Sequence, residues 1–128
     1  MARHIWAPEI HLINNKWYVF FAAGNSDDKW HIRPYMLRCS GDDPYNDEWE
    51  ELGKVQAYKD DTLSFNSFSL DMTYFEHHGK HYVIWAEIIG DSSLFMAEID
   101  PEAPNRLISM PILLTKPEFD WEKIRFRE

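Results

Sequence analysis

The chain has 128 residues, of which 45% are hydrophobic and 16% aromatic, so it can bury a core and is not intrinsically disordered. Its net charge of −9 and its lack of a Lys/Arg run argue against a nucleic-acid partner. A single cysteine, Cys39, excludes an intramolecular disulfide, and no stretch approaches the ~20 apolar residues of a membrane helix. Because Arg3, His4 and Glu9 interrupt the N-terminus, we expect no signal peptide in this chain.

The first predicted feature is a β-hairpin. Apolar and polar residues alternate over residues 5–12, as in a strand with one buried face, and Pro8 restricts this strand to a sheet edge or a strand start. Asn14-Asn15 predicts a tight turn. The apolar run over residues 17–23 then predicts a buried central strand.

Two more strands are expected after a loop at residues 24–29. Residues 30–39 are predicted as the third strand, and the turn at residues 40–44 is dense in residues that break strands. Residues 45–51 and 53–58 would supply a polar outer edge. The connection to the next unit is expected at residues 59–62.

A second hairpin is predicted by residues 72–75 and 81–85, which flank a polar turn in which Gly79 can adopt a positive φ. Asp71 precedes the first of these strands. Since acids are disfavoured in strands, Asp71 either caps the turn into the strand or faces a polar site.

The remaining segments continue the pattern of the first unit. Residues 94–99 are expected to form the third strand of the second unit and residues 101–104 a loop. Residues 107–114 fit either a strand or an extended linker, and residues 116–122 fit a turn.

The two hairpins are copies of one unit. Residues 16–22 and 80–86 align without gaps at an offset of 64, and Ala7 then occupies the place of Asp71. Repeats of short antiparallel strands are typical of β-propeller blades, although this repeat exceeds the ~40 to 50 residues of common blades. We therefore predict an all-β fold of about two antiparallel propeller blades, with residues 1–62 in one blade and residues 63–128 in the next blade and the start of the following connection.

Two blades do not close a ring, because propellers contain about four to eight. The chain is therefore expected to be part of a longer propeller, or to pair with other copies of itself or with the missing blades.

The order of several motifs resembles that of glycoside hydrolase family 43, and most closely that of its α-L-arabinofuranosidase-like members. The resemblance covers essentially the whole chain. The motifs are Trp6-Ala7-Pro8-Glu9-Ile10-His11, Lys16-Trp17-Tyr18, Ser69-Leu70-Asp71, Gly79-Lys80-His81-Tyr82 and Lys116-Pro117-Glu118-Phe119-Asp120-Trp121-Glu122.

This resemblance implies a five-bladed propeller whose axial pocket holds three acids: a base Asp, a second Asp that orients and tunes, and an acid Glu. Asp71 matches the second. The base would precede Met1 and the acid would follow Glu128, which itself falls slightly short of the family's spacing for the acid. We therefore expect this chain alone to be inactive.

The implied substrate is an arabinose- or xylose-containing oligosaccharide, hydrolysed with inversion and without a cofactor or metal. Trp6, Glu9 and Trp85 are candidates for the wall of the pocket. The alternative for the two tryptophans is packing within a blade, and for Glu9 it is binding of backbone N–H groups at a strand start.

Three histidines, His77, His78 and His81, crowd the second hairpin. They lie on a hairpin without a matched carboxylate, so we expect no metal site there. A non-catalytic carbohydrate-binding or self-assembling propeller fragment remains the alternative function.

Overall fold

The computed structural model describes residues 3–123, which form nine β-strands and one short 3-10 helix. No helix among these residues has the length and apolar character needed to cross a membrane. The elements are β1 (Arg3–Ile13), β2 (Lys16–Gly24), β3 (Arg33–Cys39), β4 (Trp49–Lys54), β5 (Ser69–His77), β6 (Lys80–Ile89), β7 (Asp91–Asp100), β8 (Ala103–Leu107), β9 (Ile112–Thr115) and the 3-10 helix (Asp120–Glu122).

The strands form two antiparallel sheets, in which β1 to β4 and β5 to β8 pair in the order of the sequence. The first sheet has the order β1-β2-β3-β4, and the second has the order β5-β6-β7-β8. Strand β9 pairs with the first half of β7, at residues 94–96, whereas β8 pairs with Ile99 and Asp100 near its end. Each sheet is thus a meander of the kind found in a propeller blade.

The repeat of 64 residues is present in the pairing as well as in the sequence. Trp6 pairs with Ala22 in the first sheet, and Leu70 pairs with Ala86 at the equivalent place in the second. Because strand register decides which side chains face the core, equal register gives the two hairpins the same division into faces.

Both hairpins end in the predicted tight turns. Asn14 and Asn15 have φ values of 49° and 63°, and His78 and Gly79 have values of 49° and 75°. Two consecutive positive φ values are the mark of a type I′ turn, which suits Asn and Gly because they tolerate this conformation.

The core lies between the two sheets and joins opposite faces of the repeated unit. Strand β2 buries Tyr18 and Phe20 completely, while β6 buries Trp85. The equivalent of Trp85 in the first sheet is Phe21, on the other face of β2, where it is only half-buried. The sheets therefore stack head to tail, as blades do around a ring, and each has one outer face that the described residues leave uncovered.

Two strands are shorter than the sequence predicts because side chains cap the preceding turns. Trp30 lies outside β3, since the Asp28 carboxylate accepts the Trp30 N–H at 2.9 Å and its carbonyl accepts the His31 N–H at 3.1 Å. Strand β4 begins at Trp49, because Asp43 accepts the Tyr45 N–H at 2.9 Å and holds a turn there.

The ambiguous segment after the second hairpin contains two short strands. Residues 101–104 were predicted as a loop, but β8 begins at Ala103 and buries Pro104. Residues 107–114 separate into the end of β8 and most of β9. Prolines and the lack of a sustained period hide these strands from pattern analysis.

Candidate active site

Asp71 lies at the end of the sheets where β1 and β5 begin, which we call the Asp71 end. The start of β1 pairs with the end of β2, through Arg3 and Gly24, so the loop after β2 lies at this end. The connection between the sheets reaches the same end, because the Ser69 N–H donates to the Ile32 carbonyl at 3.1 Å. Side chains of both sheets therefore converge here.

The Asp71 carboxylate stands on a bulge of the edge strand β5. The pairing of β5 with β6 shifts between Leu70 and Thr73, and Asp71 has a φ of 56°. Ala7 has a φ of 46° in the equivalent bulge of β1. The strained backbone is thus common to both blades, whereas the carboxylate is present in one of them only.

Asp71 is exposed, and its carboxylate makes no hydrogen bond or ion pair with any residue in the described range 3–123. A capping carboxylate would accept a nearby N–H group. This observation favours the second sequence-based interpretation, that the side chain faces a polar site. A positive φ at a non-glycine residue costs about 1–3 kcal/mol and is concentrated at functional sites.

A buried carboxylate, Glu87, organises the backbone that leads into β5. Glu87 is completely buried and accepts hydrogen bonds from the Phe65 N–H at 2.9 Å, the Ser67 hydroxyl at 3.0 Å and the Trp85 indole at 2.9 Å. Three donors satisfy the charge in the way a buried carboxylate requires. Glu87 therefore fixes the segment that immediately precedes Asp71.

Arg33 holds the same segment from the first sheet. Its Nε donates to the Phe65 carbonyl at 2.7 Å, and Phe65 has a φ of 61°. Burial lowers the pKa of the Arg33 guanidinium, while the Glu87 carboxylate opposes this shift. Phe65 is thus fixed through its N–H by the second sheet and through its carbonyl by the first, which couples the two sheets at the Asp71 end.

Trp6 belongs to an aromatic cluster of four residues, His4, Trp6, Trp30 and Phe68. The Trp6 ring lies 5.8 Å from His4, 6.3 Å from Trp30 and 5.9 Å from Phe68, measured between centroids. Phe68 is three residues before Asp71. Trp6 is half-buried, so it serves partly in packing and keeps a surface at the Asp71 end.

Glu9 lies between β1 and β5, the first strand of each sheet. The Thr73 hydroxyl donates to Glu9 Oε1 at 3.2 Å, and His11 Nε2 lies 3.6 Å from the same oxygen. These contacts are to side chains, so Glu9 does not have the role of binding backbone N–H groups among the described residues. Glu9 follows Ala7 by two residues, and its hydrogen bond with Thr73 joins equivalent positions of the two blades.

The acid stability of the fold is expected to depend on His11. Burial is the main cause that lowers the pKa of His11 below 6.5, and Glu9 opposes it. The unfolded chain therefore binds the proton more tightly, so the His11 contribution is complete above about pH 6.5 and declines as the pH falls through the folded-state pKa. Replacing His11 with Phe should make the free energy of unfolding fall less steeply between neutral and acidic pH.

Urea unfolding of both proteins at several pH values measures this difference. The pKa of His31 is also lowered, chiefly by burial, but His31 is present in both proteins and its contribution cancels. Parallel pH profiles for the parent and His11→Phe would contradict the assignment.

Trp85 lies away from the surface. It is completely buried between Phe65 and Phe95, with ring centroids 5.0 Å and 6.1 Å away, and its indole N–H is taken by Glu87. This arrangement matches the packing alternative for Trp85, because a fully buried ring has no face open to a sugar. Its influence on a site at the Asp71 end would pass through Glu87.

Comparison of the two copies of the repeat, which singles out Asp71, also singles out Glu87. Residue 23 is equivalent to residue 87 at the offset of 64, and it is a fully buried alanine. A carboxylate that replaces alanine within a repeating scaffold thus occurs twice, at Asp71 and at Glu87, and both lie at the same end. Among residues 3–123, no group of three His, Cys, Asp or Glu side chains is arranged to hold a metal ion.

Comparisons with known proteins agree with this architecture. The family model described as Glycosyl hydrolases family 43 matches residues 1–125. An extracellular exo-alpha-(1->5)-L-arabinofuranosidase of Streptomyces chartreusis is 40% identical over 99% of this chain and 38% of its own length. Alpha-L-arabinofuranosidase B of Pyricularia oryzae is 36% identical over 94% of this chain and 24% of its own length. The chain thus spans less than two fifths of these relatives.

A solved structure gives the corresponding fold. The alpha-L-arabinofuranosidase from Lactobacillus brevis superposes with a TM-score of 0.76 and 37% identity, over 92% of this chain and 37% of that one. A thermostable family-43 glycoside hydrolase superposes with a TM-score of 0.70 at 21% identity, which concerns the fold alone. These structures are five-bladed propellers of which the chain covers part, so the predicted all-β fold and the predicted resemblance are confirmed.

Proposed function

The chain belongs to glycosyl hydrolase family 43, and from this we propose that residues 1–128 supply two adjacent blades, divided near residue 62, and one acid of an axial glycosidase site. The substrate proposed is a terminal α-L-arabinofuranosyl residue of a plant polysaccharide, with a β-xylosyl residue as the second choice. The names of the relatives, which are arabinofuranosidases, support arabinose.

Asp71 is proposed as the carboxylate that orients the substrate and tunes the general acid. An inverting glycosidase places its acid and base about 6.5 to 9.5 Å apart, so that a water molecule fits beside the anomeric carbon. A third, ionised carboxylate near the acid raises the pKa of the acid and keeps it protonated near neutral pH. The base and the acid would come from other blades.

This proposal rests on the Asp71 carboxylate, which has no partner among residues 3–123 and lies on a bulge where Asp71 has a positive φ. Its equivalent, Ala7, has the same backbone conformation without the acid, so the bulge alone does not require a carboxylate. An exposed acid without a partner in residues 3–123 is available to a substrate or to another titratable group.

Trp6 and Glu9 are proposed to contribute to the wall of the pocket. Trp6 presents part of an indole next to Phe68, and an aromatic face suits the C–H surface of a neutral sugar. Glu9 is held by Thr73 and lies near the innermost edge of both sheets. Trp85 is proposed to support Asp71 indirectly, through the hydrogen bond of its indole to Glu87.

A chimera tests this function. The aligned segment of the Streptomyces chartreusis relative, 40% identical to this chain, is exchanged for residues 1–128. We expect the chimera to hydrolyse an aryl α-L-arabinofuranoside and residues 1–128 alone to give no turnover above buffer, because one acid cannot supply both proton transfers.

Two outcomes would contradict the proposal. One is a folded chimera that hydrolyses an arabino-oligosaccharide and keeps this activity when Asp71 is replaced with alanine. The other is turnover by residues 1–128 alone that Asp71→Ala abolishes. Circular dichroism of each protein separates a loss of chemistry from a loss of folding.

A second proposal, of self-association, rests on the two outer sheet faces. Phe21 stacks on Tyr35 on one face and Phe75 stacks on Tyr82 on the other, with centroids 5.7 Å and 5.1 Å apart. Each outer face is equivalent, in the repeat, to the face that the other sheet buries in the core. A second copy can therefore add head to tail in the geometry that the two sheets already use. Replacing Phe21 with Lys on one face should then weaken association.

Sedimentation at micromolar concentration measures this association. We expect residues 1–128 to form dimers or larger species and Phe21→Lys to shift them toward the monomer. A monomeric parent chain would contradict self-association without bearing on the glycosidase proposal.

A further inference from the structure

The loop after β2 is longer in the first blade than in the second. Tyr18 and Tyr82 are 64 residues apart, but their partners on the next strand, Arg38 and Glu98, are 60 apart. Between these paired positions the first blade therefore has four more residues than the second, and its loop comprises residues 25–32. These residues lie at the Asp71 end and include Trp30.

Side-chain hydrogen bonds hold the loop in one conformation. The Asn25 side chain accepts the N–H groups of Asp27 at 2.9 Å and Asp28 at 2.6 Å, and Asp28 in turn accepts the N–H of Trp30 at 2.9 Å. The chain folds back closely onto Gly24, where any Cβ would collide with the carbonyl of Lys29. Trp30 is therefore presented by an ordered loop, which reduces the entropy lost when a ligand binds.

Trp30 extends the aromatic cluster away from Asp71. Its ring lies 4.9 Å from that of His4 and 6.3 Å from that of Trp6, which contacts Phe68. The cluster thus runs from Phe68, just before the strand that carries Asp71, through Trp6 to Trp30 in the loop. Trp30 is 54% exposed, in contrast to the half-buried Trp6.

We propose that Trp30 is a binding platform for the sugar on the leaving-group side of the scissile bond. This inference rests on the proposed function and adds a subsite that favours oligosaccharides over single glycosyl residues. Because the proposed function removes a terminal residue, a second sugar beside it lies on the leaving-group side, and the exposed indole of Trp30 offers this sugar an apolar face.

The Lys29 ammonium lies over the face of the Trp30 ring. Its Nζ lies 5.6 Å from the centroid of the Trp30 ring. An exposed contact of this kind is weak, so a sugar can displace the flexible side chain. Replacing Lys29 with alanine should then leave oligosaccharide binding intact or strengthen it slightly.

The test measures binding directly and does not require catalysis. Residues 1–128 labelled with ¹⁵N are titrated with an α-1,5-linked arabino-oligosaccharide and, separately, with L-arabinose, while the indole N–H signals are recorded. We expect the Trp30 signal to shift with the oligosaccharide, and Trp30→Ala to raise the Kd about tenfold. Trp30→Phe, which keeps an aromatic face, should recover part of the affinity.

Tyr45→Ala provides the control, because Tyr45 is 94% exposed but lies in the turn at the opposite end of the first sheet. An unchanged Kd for Tyr45→Ala with a raised Kd for Trp30→Ala supports the platform. Oligosaccharide binding that leaves the Trp30 signal and the Kd of Trp30→Ala unchanged overturns it, and so does a complete absence of binding. The proposed function is judged separately, because the activity of the chimera tests it, whereas the titration measures binding alone.

Discussion

In the active chimera, Asp71→Asn is expected to lower kcat/KM for an arabino-oligosaccharide by about 10²-fold, the lower end of what general acid catalysis contributes. The substitution keeps the shape of the side chain and removes its negative charge. Without that charge the general acid loses its proton more easily, so its pKa should fall. The alkaline limb of the kcat/KM profile should therefore move to lower pH.

The size of the loss should depend on the leaving group. A sugar leaving group needs a proton from the general acid, whereas an activated aryl group leaves with little help. Asp71→Asn should thus reduce hydrolysis of the oligosaccharide much more than hydrolysis of the aryl arabinofuranoside. This difference separates a role in tuning the acid from a role in binding the cleaved sugar, which both substrates share.

The decisive measurement is kcat/KM against pH for both substrates. A matched control is Ala7→Asn, which places the same side chain on the equivalent bulge of the neighbouring blade. Equal losses on the two substrates with an alkaline limb that stays in place would remove Asp71 from the proposed mechanism. Urea unfolding of the variant shows whether the substitution also changes the stability of the protein.

The repeat explains why so much of the fold is readable from the sequence. Two copies of one hairpin, offset by 64 residues, give strand positions, turn types and register at once, and the structure bears these out at Asn14, Asn15 and Gly79. Errors occur where one blade departs from the other. The extra residues before Arg33 have no counterpart in the second copy, and β8 occupies the place of a turn in the first, so only local propensity was available there.

Residues of the candidate site can be predicted from the sequence where the two copies of the repeat differ. Asp71 stands out because Ala7 lies in its place, and Glu87 would have stood out for the same reason against Ala23. The interpretation of Trp85 as part of a pocket wall was harder to judge from sequence. Alternation assigns a side chain to one face of a strand, but it does not tell which face meets the neighbouring blade.

Glu87→Ala is expected to have the largest effect on stability, a loss of about 3–5 kcal/mol in the free energy of unfolding. The substitution leaves the Phe65 N–H, the Ser67 hydroxyl and the Trp85 indole without their acceptor in the core. Each unsatisfied buried donor costs about 1–3 kcal/mol. It also removes the buried charge that faces the Arg33 guanidinium. Since domains have about 5–15 kcal/mol of stability, the variant should unfold at a much lower urea concentration.

Two further variants sharpen this prediction. Glu87→Gln keeps one carbonyl oxygen for the Phe65 and Trp85 donors, and the Ser67 hydroxyl can reverse its role to accept from the amide, so the loss should be smaller. Glu76→Ala removes an exposed carboxylate from the same hairpin and should change stability by no more than about 0.5 kcal/mol. If Glu87→Ala unfolds at the same urea concentration as Glu76→Ala, Glu87 does not hold the segment before Asp71. The Phe65 amide should also exchange faster in Glu87→Ala than in Glu87→Gln, because only the glutamine keeps an acceptor for that N–H.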